Sequence, residues 1–167
     1  MKYQLVLIAV FLSLLPWSMG CDLGEPPNPD PQFVKFQFKY DFGNIVDTFN
    51  GTLTKDLILD GSIRIPFWLT TMEQEALLTE LARADFFNLP DTILALSRGG
   101  VVSEPNPGPN FLRVQTERHE KNVVWFYPLD LSDPNSQTVR KLSTAIWRII
   151  ESNAQYKRLP PARGGYL

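Results

Sequence analysis

Few side chains in this 167-residue chain could do covalent chemistry: there is one cysteine, Cys21, and one histidine, His119. Ser-His-acid catalysis requires a histidine positioned by a partner inside a pocket. His119 instead lies in the charged stretch Arg118-His119-Glu120-Lys121, which reads as a solvated turn. A disulfide needs two thiols and the common zinc frameworks need three or four Cys, His or acidic ligands, so both are excluded. No Gly-rich phosphate loop follows a strand-like run and no Asp/Asn series has calcium-loop spacing, so no cofactor and no metal are expected. Asp56 and Asp60 lie close on one strand-like run, the raw material of a two-carboxylate glycosidase. No sugar-stacking platform accompanies them. Arg98-Gly99-Gly100 and Arg163-Gly164-Gly165 could turn backbone amides toward an anion, yet read more simply as a loop and a tail. No catalytic residue is expected.

Lys55 breaks its pattern. Alternation along Thr52 to Leu59 places it with Leu53, Leu57 and Leu59, so its ammonium must snorkel or pair with an acid such as Asp47 or Asp56. A lysine near a sheet edge also discourages edge-to-edge association. Trp68 faces away from Phe67 and Leu69, and Trp125 alternates with Val124 and Phe126. An outward Trp68 or Trp125 would give a sheet face an aromatic recognition patch, unless a loop or the C-terminal tail covers it.

The elements that must position these groups begin after an address. Lys2 precedes an apolar run from Leu5 to Leu15, about 16 Å as a helix and too short for a hydrocarbon core of ~30 Å. Pro16 and the small residues Ser18 and Gly20 complete a signal peptide over residues 1–20. Cys21 then stands where the lipobox of bacterial lipoproteins puts its acylated cysteine, and Gly20-Cys21 resembles that motif, with Ser18 where it usually carries Leu. Ordinary cleavage after Gly20, leaving a secreted soluble protein, is the alternative. Pro26, Pro27, Pro29 and Pro31 make residues 21–32 a lipid-anchored, extended tether, reaching up to roughly 35 Å.

Residues 33–167 read as a single α+β domain with a C-terminal tail. Val34, Phe36, Phe38 and Tyr40 alternate with Lys35, Gln37 and Lys39 as a half-buried antiparallel strand. Asn50-Gly51, between Ile45 to Phe49 and Thr52 to Leu59, marks a hairpin with a type I′ turn. The next strand, Ile63 to Leu69, contains Pro66, which cannot donate to a ladder and belongs at a sheet edge. Thr70 with Glu73, or Thr71 with Gln74, caps a helix carrying Leu77, Leu78, Leu81 and Ala84, which ends before Leu89-Pro90. Residues 97–110 form a loop, strands follow over 111–117 and 122–127, and Asp133-Pro134 opens a second helix with the stripe Val139, Leu142, Ile146 and Ile149. The expectation is an antiparallel sheet of about five to six strands with two helices packed on one face. Features recur 70 residues apart: the turns at Asn50 and Glu120, and Leu89-Pro90 and Leu159-Pro160, each Leu-Pro being followed by an Arg-Gly-Gly tripeptide. A duplicated hairpin-helix unit would produce them.

Hydrophobic residues make up 44% of the chain, which is a folding composition, and 16 basic against 18 acidic residues give −2, so nothing points to nucleic acid. The stretch Asp47-Thr48-Phe49-Asn50-Gly51-Thr52 with Lys55-Asp56, and the closing Tyr156-Lys157-Arg158-Leu159-Pro160 with Gly165-Tyr166-Leu167, resemble small bacterial lipoproteins of uncharacterised function. That resemblance implies an extracytoplasmic protein held to a membrane by a lipid on Cys21, and transfers no catalytic residues. The expected role is a non-catalytic domain binding a protein or cell-envelope component through a sheet face or the Pro-rich loop. An envelope enzyme using Asp and Lys groups is the alternative, and it requires Lys55, Asp56, His119 or nearby acids to converge.

Overall fold

The computed structural model describes residues 31–94 and 108–166. The signal peptide, Cys21, nearly all of the tether, Arg98-Gly99-Gly100 and most of the Pro-rich loop lie outside them.

The strand β1 (Lys35–Tyr40) pairs antiparallel with β2 (Asn44–Asp47), which pairs with β3 (Thr52–Asp56), which pairs with β4 (Ser62–Pro66). On its other side β1 pairs with β6 (Asn110–Gln115), and β6 with β7 (Glu120–Trp125), both antiparallel. A two-residue strand, β5 (Thr92–Ile93), closes the order β4-β3-β2-β1-β6-β7-β5 and runs parallel to β7. The seven-stranded mixed sheet thus exceeds the expected antiparallel five or six strands. Two residues carry no readable period, which is why β5 left no signal.

The N-terminal strand forms as its alternation dictates, with Phe36 and Phe38 buried. At the β2–β3 hairpin, Asp47 pairs with Thr52, so four residues connect the strands rather than the two of a type I′ turn. Only Gly51, at φ +63°, takes the left-handed region there, and Asp47 holds the turn by accepting from the Asn50 amide at 3.1 Å. Pro66 does end the edge strand β4.

The helix α1 (Thr71–Arg83) carries the full capping box: the Glu73 amide donates to Thr70 Oγ1, and the Thr70 amide donates to Glu73 Oε2 at 2.8 Å. A 3₁₀ turn at Phe86–Asn88 follows. The helix α2 (Pro134–Ser152) starts on Asp133, whose carboxylate accepts from the Ser136 amide at 2.7 Å, and α3 (Ala154–Lys157) is capped by Asn153. Ile150, not Ile149, completes the buried stripe of α2.

Both long helices cross the strands on one face. Successive contacts along α2 and α3 step across the sheet: Ser143 meets Tyr127 beyond β7, Trp147 stacks on Tyr40 of β1, and Tyr156 reaches Lys55 of β3. At its far end α1 leads to Phe87, which lies 5.2 Å from the His119 ring at the β6–β7 turn. Val34, Phe36, Phe38, Leu53, Leu112, Val114, Val123 and Trp125 of the sheet side bury against Leu77, Leu81, Val139, Leu142, Ile146 and Ile150 of the helices. Among the described residues no element covers the opposite face.

The 70-residue echo has structural counterparts. The Leu89 amide donates to the Phe86 carbonyl at 3.2 Å and the Leu159 amide to the Tyr156 carbonyl at 3.0 Å. After each Leu-Pro the chain makes a parallel pairing, Ile93 with Trp125 and Arg163 with Ile58.

Candidate functional site

The register settles which side chains share the uncovered face. Lys35, Gln37 and Lys39 of β1 stand beside Phe111, Arg113 and Gln115 of β6, and these beside Glu120, Asn122 and Val124 of β7. Phe126 continues the β7 alternation and is 36% exposed. Gln37, Phe111, Arg113, Asn122 and Val124, with Pro109 on the rim, enclose a shallow depression of about 390 Å³. Its polar members are braced. Arg113 forks onto Glu120 Oε1, with Nε at 2.9 Å and Nη2 at 2.7 Å, and lies 4.5 Å over the Phe49 ring. Gln37 donates to Asp47 at 3.2 Å, and Lys39 donates to the Pro109 carbonyl at 3.0 Å. Half-exposed Phe111 and Val124 thus sit inside a hydrogen-bonded polar frame.

The expected tryptophans are not that patch. Trp125 is 1% exposed in the core, 6.4 Å from Phe38, so the reading of an outward Trp125 is corrected. Val123, Val124, Trp125 and Phe126 form one apolar run without a phase of its own. The phase comes from Asn122 and from the neighbouring Leu112, Arg113, Val114 alternation, and it sends Trp125 inward and Phe126 out. Trp68 is half-buried beyond the end of β4, the other side of the sheet from β7. Its amide donates to Gln155 Oε1 and its carbonyl accepts from Asn153 Nδ2, each at 3.1 Å.

Lys55 is also internal, at 9% exposure. Its ammonium pairs with neither Asp47 nor Asp56. It donates to the Pro160 carbonyl at 2.8 Å and lies 4.6 Å from the centroid of the Tyr156 ring. Asp56, on the opposite face of β3, accepts from the Ile58 amide at 2.8 Å and contacts the Tyr166 hydroxyl. His119 sits at the Lys35 end of the sheet, whereas Lys55 and Asp56 sit at the Tyr40 end, so the three groups do not converge. The Arg163 guanidinium is engaged by Asp60, Nε to Oδ2 at 2.7 Å, which holds that carboxyl below the usual range. Arg163-Gly164-Gly165 is therefore part of a docked tail, not an anion cradle. Gly164 is required there: φ is +89°, and a Cβ would stand 2.9 Å from Leu59.

The Tyr40 end of the sheet gathers the perturbed groups. Burial pushes the phenols of Tyr40, Tyr127 and Tyr156 up, and burial raises the Asp41 carboxyl as well. Trp147 stacks on Tyr40 with centroids 5.4 Å apart and meets Tyr156 edge-on at 5.6 Å. Nearby, Asn110 is fully buried opposite Trp125, and neither of its amide atoms has a hydrogen-bond partner among the described residues.

A second concavity of about 700 Å³ runs between α1 and α2 on the outside of the helical layer, among Arg83, Arg140, Lys141 and Arg148 with Glu80. The sequence assigns these lining residues places on strands and helices but no functional role. Arg140, Thr144 and Arg148 do recur at four-residue spacing, which marks the polar face of α2.

Among the described residues no three His, Cys, Asp or Glu side chains could hold a metal ion, and no helix is long and apolar enough to cross a membrane. No protein-family model, curated protein or solved structure matches the chain significantly.

Proposed function

We propose that this is a lipid-anchored extracytoplasmic domain that works by binding, not catalysis, and offers its uncovered sheet face to a protein or cell-envelope partner. The observation that carries this reading is the one-layered sheet: helices occupy one face, while Phe111, Val124 and Phe126 remain accessible on the other inside a braced polar frame. Exposed apolar groups set among fixed polar ones suit a rigid partner surface. The non-convergence of Lys55, Asp56 and His119 removes the main support for the enzyme alternative. Cys21, behind a signal-like segment and ahead of the proline-rich tether, supports an acylated N-terminus. The matched turns and parallel pairings 70 residues apart further support descent from a duplicated hairpin-helix unit, with β1 and β4 outside the repeat.

Two measurements test the reading. Metabolic labelling with a fatty acid should mark the wild type and leave Cys21→Ala unmarked; an unlabelled wild type refutes the anchor. Capture from envelope extracts should fall for the double variant Phe111→Ser, Phe126→Ser with its fold intact. Undiminished capture refutes the sheet face.

A further inference from the structure

The helical layer carries a second surface. The groove between α1 and α2 is lined by four cations, Arg83, Arg140, Lys141 and Arg148, against the single carboxylate of Glu80. Glu80 is already committed to Arg83 at 2.5 Å. Among the described residues no carboxylate pairs with Arg140, Lys141 or Arg148, and all three are exposed. A cation cluster of this density in a chain of net charge −2 is a local inversion of sign. Between the charges stand the short side chains Ala84, Thr138, Thr144 and Ala145, which leave room for a ligand group; both threonine hydroxyls already donate to helix carbonyls, so the cations alone would hold it. Guanidinium forks fit phosphate oxygens in pairs, and a lysine adds a point charge.

The same layer is where the chain leaves toward its N-terminus. Gln74, fully buried in the first turn of α1, donates to the Pro31 carbonyl at 3.2 Å and accepts from the Phe33 amide at 2.9 Å. Gln32 donates to the Leu69 carbonyl at 2.9 Å. The tether therefore departs beside α1, whose 13 residues span about 20 Å, and a membrane anchor at Cys21 keeps this layer within roughly 35 Å of a bilayer.

We propose that the α1–α2 groove docks on the phosphate headgroups of anionic lipids, and so turns the uncovered sheet face away from the membrane. Only the identity of the bilayer rests on the anchor reading; the groove chemistry stands without it. Leu142, the one large apolar side chain on the groove wall, is buried in the core at 4% exposure, so the contact is carried by the charges and is screened by salt.

The test uses residues 21–167 coupled through the thiol of Cys21, the sole cysteine, to a maleimide lipid in vesicles, so that retention does not depend on acylation. The readout is the acetylation rate of Lys141 by mass spectrometry, with exposed Lys35 on the opposite face as internal reference. Vesicles containing phosphatidylglycerol should slow Lys141 by about threefold or more relative to phosphatidylcholine vesicles, as expected for a cation held at an anionic surface. About 0.5 M salt should abolish the slowing. The double variant Arg140→Glu, Arg148→Glu, with unchanged Tm, should lose it as well. Equal Lys141 rates in the two vesicle types overturn the proposal. Slowing by millimolar glycerol phosphate in phosphatidylcholine vesicles, with none from phosphatidylglycerol, also overturns it, in favour of a free phosphate compound. If fatty-acid labelling fails while the slowing persists, the anchor reading falls and the groove stands.

Discussion

The ammonium of Lys55 caps the Tyr156 ring at 4.6 Å while donating to the carbonyl of Pro160, and this joins the middle of β3 to the C-terminal segment. The contact spans 105 residues of sequence. It explains why a lysine is tolerated among leucines: its stem packs with the core face, and its charge meets an aromatic face and a carbonyl.

Lys55→Ala should destabilise the protein by about 1–3 kcal/mol, because it removes the cation–π contact and the hydrogen bond to the Pro160 carbonyl. Chemical denaturation gives the value. Limited proteolysis should cut the variant after residue 158 sooner than the wild type. An unchanged midpoint together with an unchanged cleavage rate would show that the tail is held by Arg163 and Tyr166 alone.

Gln74→Leu should be costlier than its size suggests. The glutamine satisfies the Phe33 and Val34 amides and the Leu69 and Pro31 carbonyls from a fully buried position. Leaving buried donors unpaired costs about 1–3 kcal/mol each, so a loss of about 3 kcal/mol is expected in urea unfolding.

Asn110→Leu should go the other way. Both amide atoms are buried without a partner among the described residues, so a similar-sized apolar side chain should raise stability by about 1 kcal/mol. A fall in stability would reveal a partner for the amide.

The pH dependence follows from burial. Asp41 is raised in the fold, so the unfolded chain ionises first, and its contribution is full below the unfolded value near 3.8 and lost as pH rises through the folded one. Asp41→Asn, which keeps a side chain tolerated at φ +58°, should therefore stabilise at neutral pH, with the gain shrinking toward pH 3. Tyr40, Tyr127 and Tyr156 are raised above 10.0, so stability should decline once pH exceeds that value. Thermal melts of wild type and Asp41→Asn across the range check both.

Local signals were legible where they were complete in a short window. Thr70 with Glu73, Asp133-Pro134 and the Val34 to Tyr40 alternation each specify an element without outside help. What escaped depends on distant partners. β5 exists only because β7 offers an edge, the partner of Lys55 lies at Pro160, and the inward phase of Trp125 is imposed by β6. The sheet face was anticipated as a surface but through the wrong aromatics. The cationic groove needed two helices side by side, and no single stretch of sequence contains it.

The seam between β1 and β6 separates two kinds of folding problem. β1 to β4 form a meander whose pairings close over short turns, and β6 with β7 form a second hairpin. Joining them requires Phe38 to find Leu112, 74 residues on. Closing that loop carries the largest entropic cost in the sheet and is compensated only once the helices bury both halves. The seam is thus expected to set the folding rate: substitutions that loosen β1–β6 should slow refolding, while those in the β2–β3 turn should mainly shift local amide exchange.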